Sequence, residues 1–140
     1  MAGAPPNLAL IPATDDIAGF YRGLAMLLVP SLVDEAFGRV AVEAALAGVP
    51  VVCTSRCPAA AWSGALVIDA PPRPDEGSDD DLHDAGRHAA VIRGFLDAVV
   101  TLSDPDNHAI AAAAARAAGA AYLDAQRRSL DDLVAWLAGA

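Results

Sequence analysis

Short apolar runs alternate with helical patterns through the first half of the chain, and this alternation constrains the fold more than any other feature. Four runs have the length and composition of buried strands: residues 7–12, 26–31, 50–55 and 65–70. Helical patterns occupy residues 15–25, with Thr14 as the predicted N-cap, and residues 36–48, closed by Gly48. Parallel strands need such crossovers, which are right-handed. The pattern predicts an α/β fold, a three-layer Rossmann-like parallel sheet of about four strands with flanking helices.

One domain is expected over residues 1–140, and it divides into three parts. Residues 1–70 form the predicted βαβαβ core. Residues 71–81 combine prolines, a glycine and a block of acids, a composition typical of a solvated loop. Residues 82–140 then follow a helical period and form a helical C-terminal tail.

Three helices are predicted within this tail: residues 82–103, 106–127 and 129–139. The last begins at Ser129, with Asp132 three residues later as a weak capping box. Trp136 lies on this last helix with Leu133 and Leu137, and we expect its ring to be buried against the domain.

Charge and hydropathy exclude two classes of partner. The basic residues are nine arginines against eighteen acids, for a net charge of -9. A nucleic-acid binder needs a basic surface that displaces phosphate counterions, so no nucleic-acid partner is expected. The N-terminus lacks the features of a secretory signal, and no run of about 18 apolar residues indicates a transmembrane segment. We therefore expect a soluble, cytoplasmic protein.

The cysteines and histidines give no sign of a metal site. Cys53 and Cys57 are spaced C-x3-C, which fits neither the usual zinc knuckle nor the C-x-x-C redox pair. Cys53 ends an apolar run, so core packing is the simpler interpretation. His83, His88 and His108 have no spacing that gathers ligands, and no metal is predicted.

Two glutamates, Glu35 and Glu43, stand in the mostly apolar segment 27–53. The first lies in the loop after the second predicted strand, and the second lies on the helix that follows. The free amides and the dipole of a helix N-terminus favour an anion, and Gly38 lets the backbone approach it. A phosphate joined to a hydroxyl-rich group fits a site flanked by two carboxylates.

Simpler interpretations of each glutamate stay open at this point. Glu43 could form an i, i+4 ion pair with Arg39, worth a few tenths of a kcal/mol. Glu35 could be a solvated acid beside Asp34 or interact with the first turn of the helix.

The string PSLVDEAFGRVAVEAALAGVPVV closely resembles the signature of retaining GT-B glycosyltransferases, the glycosyl transferases group 1 family. The residues that match the signature are Pro30, Ser31, Glu35, Phe37, Gly38, Glu43, Ala44, Ala47, Gly48, Pro50, Val51 and Val52. The flanking segments are similar to the same family, so the resemblance covers nearly all of the chain. It corresponds to the later part of the C-terminal, donor-binding domain.

The resemblance implies a role for each residue around the helix start. Glu35 is implied to be catalytic, beside the donor sugar, where it stabilises positive charge developing near the anomeric carbon. Glu43 is implied to hold the ribose hydroxyls of the nucleotide. Four backbone amides are implied to face the sugar and diphosphate, those of Phe37, Gly38, Arg39 and Val40.

For the whole chain, the resemblance implies the donor side of a hexosyltransferase in polysaccharide or glycoconjugate biosynthesis. Such a domain binds a nucleotide-diphospho-sugar, needs no metal or other cofactor, and transfers the sugar with retention. It has no acceptor domain, so the chain alone is expected to be inactive and to need an acceptor-domain chain or self-association. Residues 55–64 depart from the family pattern, since they lack its Gly-Gly pair and its glutamate. The alternatives are a non-catalytic nucleotide-sugar binding module and a degenerate structural or interaction domain.

Overall fold

The computed structural model describes residues 5–70 and 85–139 of the chain. In this part the elements are, in order, α1 (Ile17–Arg22), β1 (Leu27–Val29), α2 (Arg39–Leu46), β2 (Val51–Thr54), α3 (Ala60–Ser63), β3 (Leu66–Ile68), α4 (Ala85–Leu102) and α5 (Pro105–Gly139). The acidic loop predicted over residues 71–81 lies outside the described residues, as do residues 82–84 of the predicted tail.

The strands form a parallel three-stranded sheet in the order β1-β2-β3. Val52, in the central strand, pairs with Leu28 of β1 and Leu66 of β3. All four residues of β2 are buried, which is typical of a parallel strand covered on both faces. Three of the predicted strands and their parallel arrangement are therefore confirmed.

The alternating side chains of β2 contribute to two apolar cores, one on each face of the sheet. Val51 and Cys53 lie in the first core with the buried face of α2. Val52 lies in the second core, where α4 contributes Val91 and Phe95. Helices thus cover both faces, and the predicted three-layer α/β architecture is confirmed.

The strand predicted over residues 7–12 is not formed, so the described sheet has three strands rather than about four. The N–H of Leu8 donates a hydrogen bond to the carbonyl of Pro5, which closes a turn where the strand was expected to begin. Pro12 has no N–H to donate to a ladder. Leu10 is 88% exposed, so the apolar side chains of this run do not join the core.

Two helices of the core begin later than predicted. The N-cap of α1 is Asp16, whose carboxylate accepts a hydrogen bond from the N–H of Gly19, and the predicted cap Thr14 instead accepts one from the N–H of Asp16. Helix α2 begins at Arg39 rather than at residue 36, because Gly38 has a left-handed backbone with φ 84°. The predicted end of α2 is confirmed, since Gly48 follows it with φ 76°.

The tail contains one long helix where two were predicted. Ser129 lies inside the 35-residue helix α5 and caps nothing, because its neighbours in sequence are good helix formers. A helix of this length spans about 52 Å and extends past the small domain. Trp136 is consequently 68% exposed, so its predicted burial is wrong; Leu133 is also exposed, and the side chain of Leu137 lies outside the described part.

Among the helices that the structure describes, none is long and apolar enough to cross a membrane.

Candidate functional site

The loop between β1 and α2 is held against the segment that follows β2. The backbone N–H of Glu35 donates to the carbonyl of Arg56 at 3.1 Å, and the N–H of Ala59 donates to the carbonyl of Phe37 at 2.8 Å. The guanidinium of Arg56 also pairs with Asp34 at 3.1 Å. Both segments follow the carboxyl ends of neighbouring parallel strands, where open α/β sheets place their ligand sites.

The carboxylate of Glu35 is half-buried and oriented by a short chain of hydrogen bonds. The hydroxyl of Ser31 donates to Oε1 of Glu35. The buried hydroxyl of Thr54, the last residue of β2, donates to the backbone carbonyl of Ser31 at 2.5 Å. The position of Glu35 is therefore set by the end of the central strand as well as by its own loop.

Gly38 stands between Glu35 and Cys57, and a side chain does not fit there. A Cβ atom at this position would collide with the sulfur of Cys57 and would lie 2.7 Å from Oε2 of Glu35. Its φ of 84° is also a conformation that other residues rarely adopt. Gly38 is thus required both by the backbone and by the packing around Glu35.

The two cysteines are buried free thiols on the inner side of this loop. Burial raises the pKa of Cys53 to about 12. Burial, followed by the charge of Glu35, also raises the pKa of Cys57. Both side chains therefore stay protonated at neutral pH, which makes them poor nucleophiles and agrees with their predicted place in the core.

Glu43 lies in the second turn of α2 and is half-buried, as its apolar neighbours predicted. Its Oε2 accepts a hydrogen bond from the hydroxyl of Tyr21 on α1 at 3.0 Å. Its Oε1 lies 3.4 Å from the guanidinium of Arg39, so the i, i+4 ion pair considered from the sequence does form. The Arg39 side chain is 84% exposed, and pairs at such sites contribute about 0–1 kcal/mol. The buried tyrosine therefore fixes this carboxylate more firmly than the arginine does.

The remaining predicted site residues lie together around the first turn of α2. The ring of Phe37 packs on the ring of Tyr122 of α5, with centroids 6.0 Å apart. Val40 is exposed on the first turn. The first amides of a helix have no intrahelical partner, and the dipole adds partial positive charge there. The start of α2 thus offers N–H groups to an anion, with Glu35 directly before it and Glu43 one turn along it.

Trp62 on α3 extends the aromatic contacts beside this turn. It is partly exposed, and its ring meets the ring of Tyr122 edge-on at a centroid distance of 6.0 Å. Residues 55–64, which lack the glycine pair of the family pattern, thus supply a turn and a short helix that pack beside the candidate site.

Four contributors to the site received no role from the sequence: Tyr21, Ser31, Thr54 and Cys57. Ser31 was part of the matched string, and its spacing of four from Glu35 is the one available signal for their contact. The contact of Tyr21 with Glu43 joins residues 22 positions apart, which no local pattern indicates.

The α/β fold, with carboxylates around a helix start at the carboxyl end of a parallel sheet, agrees with the class of transferase that the sequence resembles. Residues 2–76 match the family model described as glycosyl transferases group 1. The chain belongs to this family.

A curated relative agrees with this assignment. The chain is 37% identical over 125 residues to the D-inositol 3-phosphate glycosyltransferase 2 of Catenulispora acidiphila. The alignment covers 84% of this chain and 26% of the relative, so the chain spans about a quarter of that protein's length. No solved structure shows a significant match.

Proposed function

We propose that this chain is the donor-side domain of a retaining glycosyltransferase, which binds a nucleoside diphosphate hexose around the start of α2. The observation that carries the proposal is the pair of oriented carboxylates on either side of this helix start. Ser31 orients Glu35, and Tyr21 orients Glu43. Family membership supports glycosyl transfer in general.

The diphosphate would bind at the first turn of α2. Its negative charge matches the free amides of Phe37, Gly38, Arg39 and Val40 and the partial positive charge of the helix end. No metal ion is needed in this arrangement, since the amides and Arg39 supply the positive field. The proposed site is therefore metal-independent.

The two carboxylates would hold the hydroxyl-rich groups on each side of the diphosphate. A carboxylate accepts strong hydrogen bonds from vicinal hydroxyls, so Glu43 would take the ribose. Glu35 would lie beside the hexose and stabilise the positive charge that develops at the anomeric carbon as its bond to the diphosphate breaks. The acceptor hydroxyl oxygen then bonds to that carbon on the same face, and its proton passes to the oxygen of the departing diphosphate, which gives retention.

Affinity for the donor should be low in this chain alone. A helix terminus contributes about 0.3–1 kcal/mol for each charge at an exposed site. Charge-assisted hydrogen bonds contribute about 1.5–3 kcal/mol each, but Arg56 is already paired with Asp34. We therefore propose that transfer requires an acceptor-domain chain or self-association, and that the assembly works in the cytoplasm in polysaccharide or glycoconjugate synthesis.

An NMR titration of the labelled chain with UDP and GDP tests the site. We expect shifts at the amides of residues 35–43, with Glu43→Ala weakening binding because the ribose contact is lost. The matched control is Asp131→Ala, which removes an exposed carboxylate on the distal part of α5. Shifts confined to other surfaces would contradict the site, and their complete absence at millimolar nucleotide would favour a degenerate domain.

A further inference from the structure

The hydroxyl of Tyr21 makes a contact that the packing of its ring does not require. The residue is 5% exposed and belongs to the first apolar core. Its ring meets the ring of Phe20 edge-on, with centroids 5.4 Å apart. Its hydroxyl donates to Oε2 of Glu43 on the neighbouring helix α2 at 3.0 Å. A phenylalanine would fill the same space without that hydrogen bond.

The two oxygens of Glu43 are consequently in different situations. Oε2 is bound to a buried donor, whereas Oε1 faces the exposed guanidinium of Arg39 at 3.4 Å. An exposed arginine on a flexible stem is displaced at little cost. Oε1 is thus the oxygen that a ligand can take, and Tyr21 determines where that oxygen points.

The surroundings leave room for such a ligand. A concavity of about 510 Å³ lies between α1 and the later part of α2, and Tyr21 and Glu43 line it together with Ile17, Ala18, Arg22, Leu46 and Ala47. Burial, with a smaller contribution from Glu43, raises the pKa of Tyr21 to about 12. The phenol is therefore protonated at physiological pH and acts as a donor to the carboxylate.

We propose that Tyr21 is a positioning residue for ribose recognition: its hydroxyl holds the carboxylate of Glu43 so that Oε1 meets the vicinal hydroxyls of a nucleotide. This inference rests on the proposed function, because it assumes that Glu43 binds a ribose. Without the tyrosine, the glutamate side chain must lose rotamer freedom when the nucleotide binds. With the tyrosine, the side chain of Glu43 is already ordered before the nucleotide binds.

The test compares UDP with its 2′,3′-dideoxy analogue on the wild-type chain and on Tyr21→Phe, with affinities measured by NMR titration. The wild type should bind UDP several-fold more tightly than the analogue, which lacks both hydroxyls. Tyr21→Phe should reduce this ratio about threefold or more and leave the affinity for the analogue unchanged. A merely structural role would weaken both ligands equally. The control is Tyr122→Phe, which removes a phenol hydroxyl from the ring beside Phe37. This variant should keep the wild-type ratio of the two affinities.

The outcomes separate the two proposals. If UDP does not bind the wild type near Glu43, the proposed function and this inference both fail. If UDP binds there and Tyr21→Phe keeps the full ratio, the inference fails and the proposed function stands. Should the variant not fold, the Cζ resonance of Tyr21 in the wild type decides: UDP should move it and the dideoxy analogue should not, and equal shifts would overturn the inference.

Discussion

The hydroxyl of Thr54 donates a 2.5 Å hydrogen bond to the backbone carbonyl of Ser31. It ties the end of the central strand β2 to the loop after β1, where the hydroxyl of Ser31 in turn contacts Glu35. The orientation of the candidate catalytic carboxylate therefore depends on a fully buried residue that cannot itself touch a substrate.

Thr54→Val should destabilise the chain by about 1–3 kcal/mol, because the isosteric valine leaves the carbonyl of Ser31 without its buried donor. The midpoint of urea unfolding measures the loss. Thr101→Val is the matched control, since the exposed hydroxyl of Thr101 only bonds back to Asp97 within α4, and its cost should stay within about 0.5 kcal/mol. Equal effects of the two substitutions would contradict the role assigned to Thr54.

Gly38→Ala should destabilise the chain by about 2 kcal/mol or more. The left-handed backbone alone costs a non-glycine residue about 1–2 kcal/mol, and the new Cβ also meets the sulfur of Cys57. Gly23→Ala is the control, because φ is -82° there and the nearest atom to a Cβ is 3.4 Å away. In the double variant of Gly38→Ala with Cys57→Ala, part of the stability lost through the collision should be recovered. The stability lost through the left-handed backbone should not be recovered. A neutral Gly38→Ala would show that the loop adopts another conformation.

The pKa of Tyr21 predicts a loss of stability at high pH. It is raised from its ordinary value of 10.0 to about 12, mainly by burial and then by Glu43. The protonated phenol is favoured in the folded state, so this contribution is complete below pH 10 and is lost as the pH rises towards 12. Because Cys53 titrates in the same window, the measurement is the difference in unfolding free energy between the wild type and Tyr21→Phe. That difference should shrink from pH 9 to pH 12, and a constant difference would contradict the assignment.

The sheet was predictable from the sequence where local pattern and tertiary partner agree. The runs at 26–31, 50–55 and 65–70 each contain a strand, because each has a parallel neighbour. The run at 7–12 has the same apolar composition but forms no strand, since apolar character does not supply a pairing partner. The helix start predicted at Ser129 is wrong for a related reason. A capping pattern begins a new helix only where the residues around it stop favouring the existing helix.

The candidate site likewise has a part that was predictable from the sequence and a part that was not. The proximity of Glu35, Gly38 and Glu43 was predictable, because these residues are close in sequence along one loop and helix. Tyr21 and Thr54 act from elements 22 and 23 positions away from their partners, and only the packing of those elements brings them together.

Self-association is predicted from an apolar surface beside β1. Leu28 on this strand and Ile92, Leu96 and Val100 on α4 are exposed, and the last three lie on one face of their helix. Leu28, Ile92 and Leu96 border a groove of about 380 Å³. Within the described residues, β1 pairs with β2 alone. β1 is therefore an edge strand of the described sheet, as β3 is on the other side. The net charge of -9 opposes association, but its repulsion is screened within about 8 Å at physiological salt.

Sedimentation velocity in 0.15 M salt over a concentration series measures the effect. The weight-average sedimentation coefficient should rise with concentration, and Leu96→Glu should suppress the rise because it places a charge in the apolar face. Leu130→Glu, on the distal part of α5, is the control. A monomer at every concentration would show that this apolar surface does not drive self-association.

The last prediction is that the pure chain transfers no sugar. The diphosphate would have the helix terminus and the exposed Arg39, while the guanidinium of Arg56 is paired with Asp34 at 3.1 Å. These groups supply little positive charge to stabilise a leaving group that departs as an anion. In addition, the chain spans 26% of a glycosyltransferase that is named for D-inositol 3-phosphate. Incubation with labelled UDP-glucose or GDP-mannose and D-inositol 3-phosphate should therefore give no labelled product above background. The same incubation with Glu35→Ala identifies contamination, because activity that survives this change does not come from the proposed site. Transfer onto the acceptor by the wild type, abolished in Glu35→Ala, would show that the chain is a complete enzyme and that the amides of α2 suffice to hold the donor.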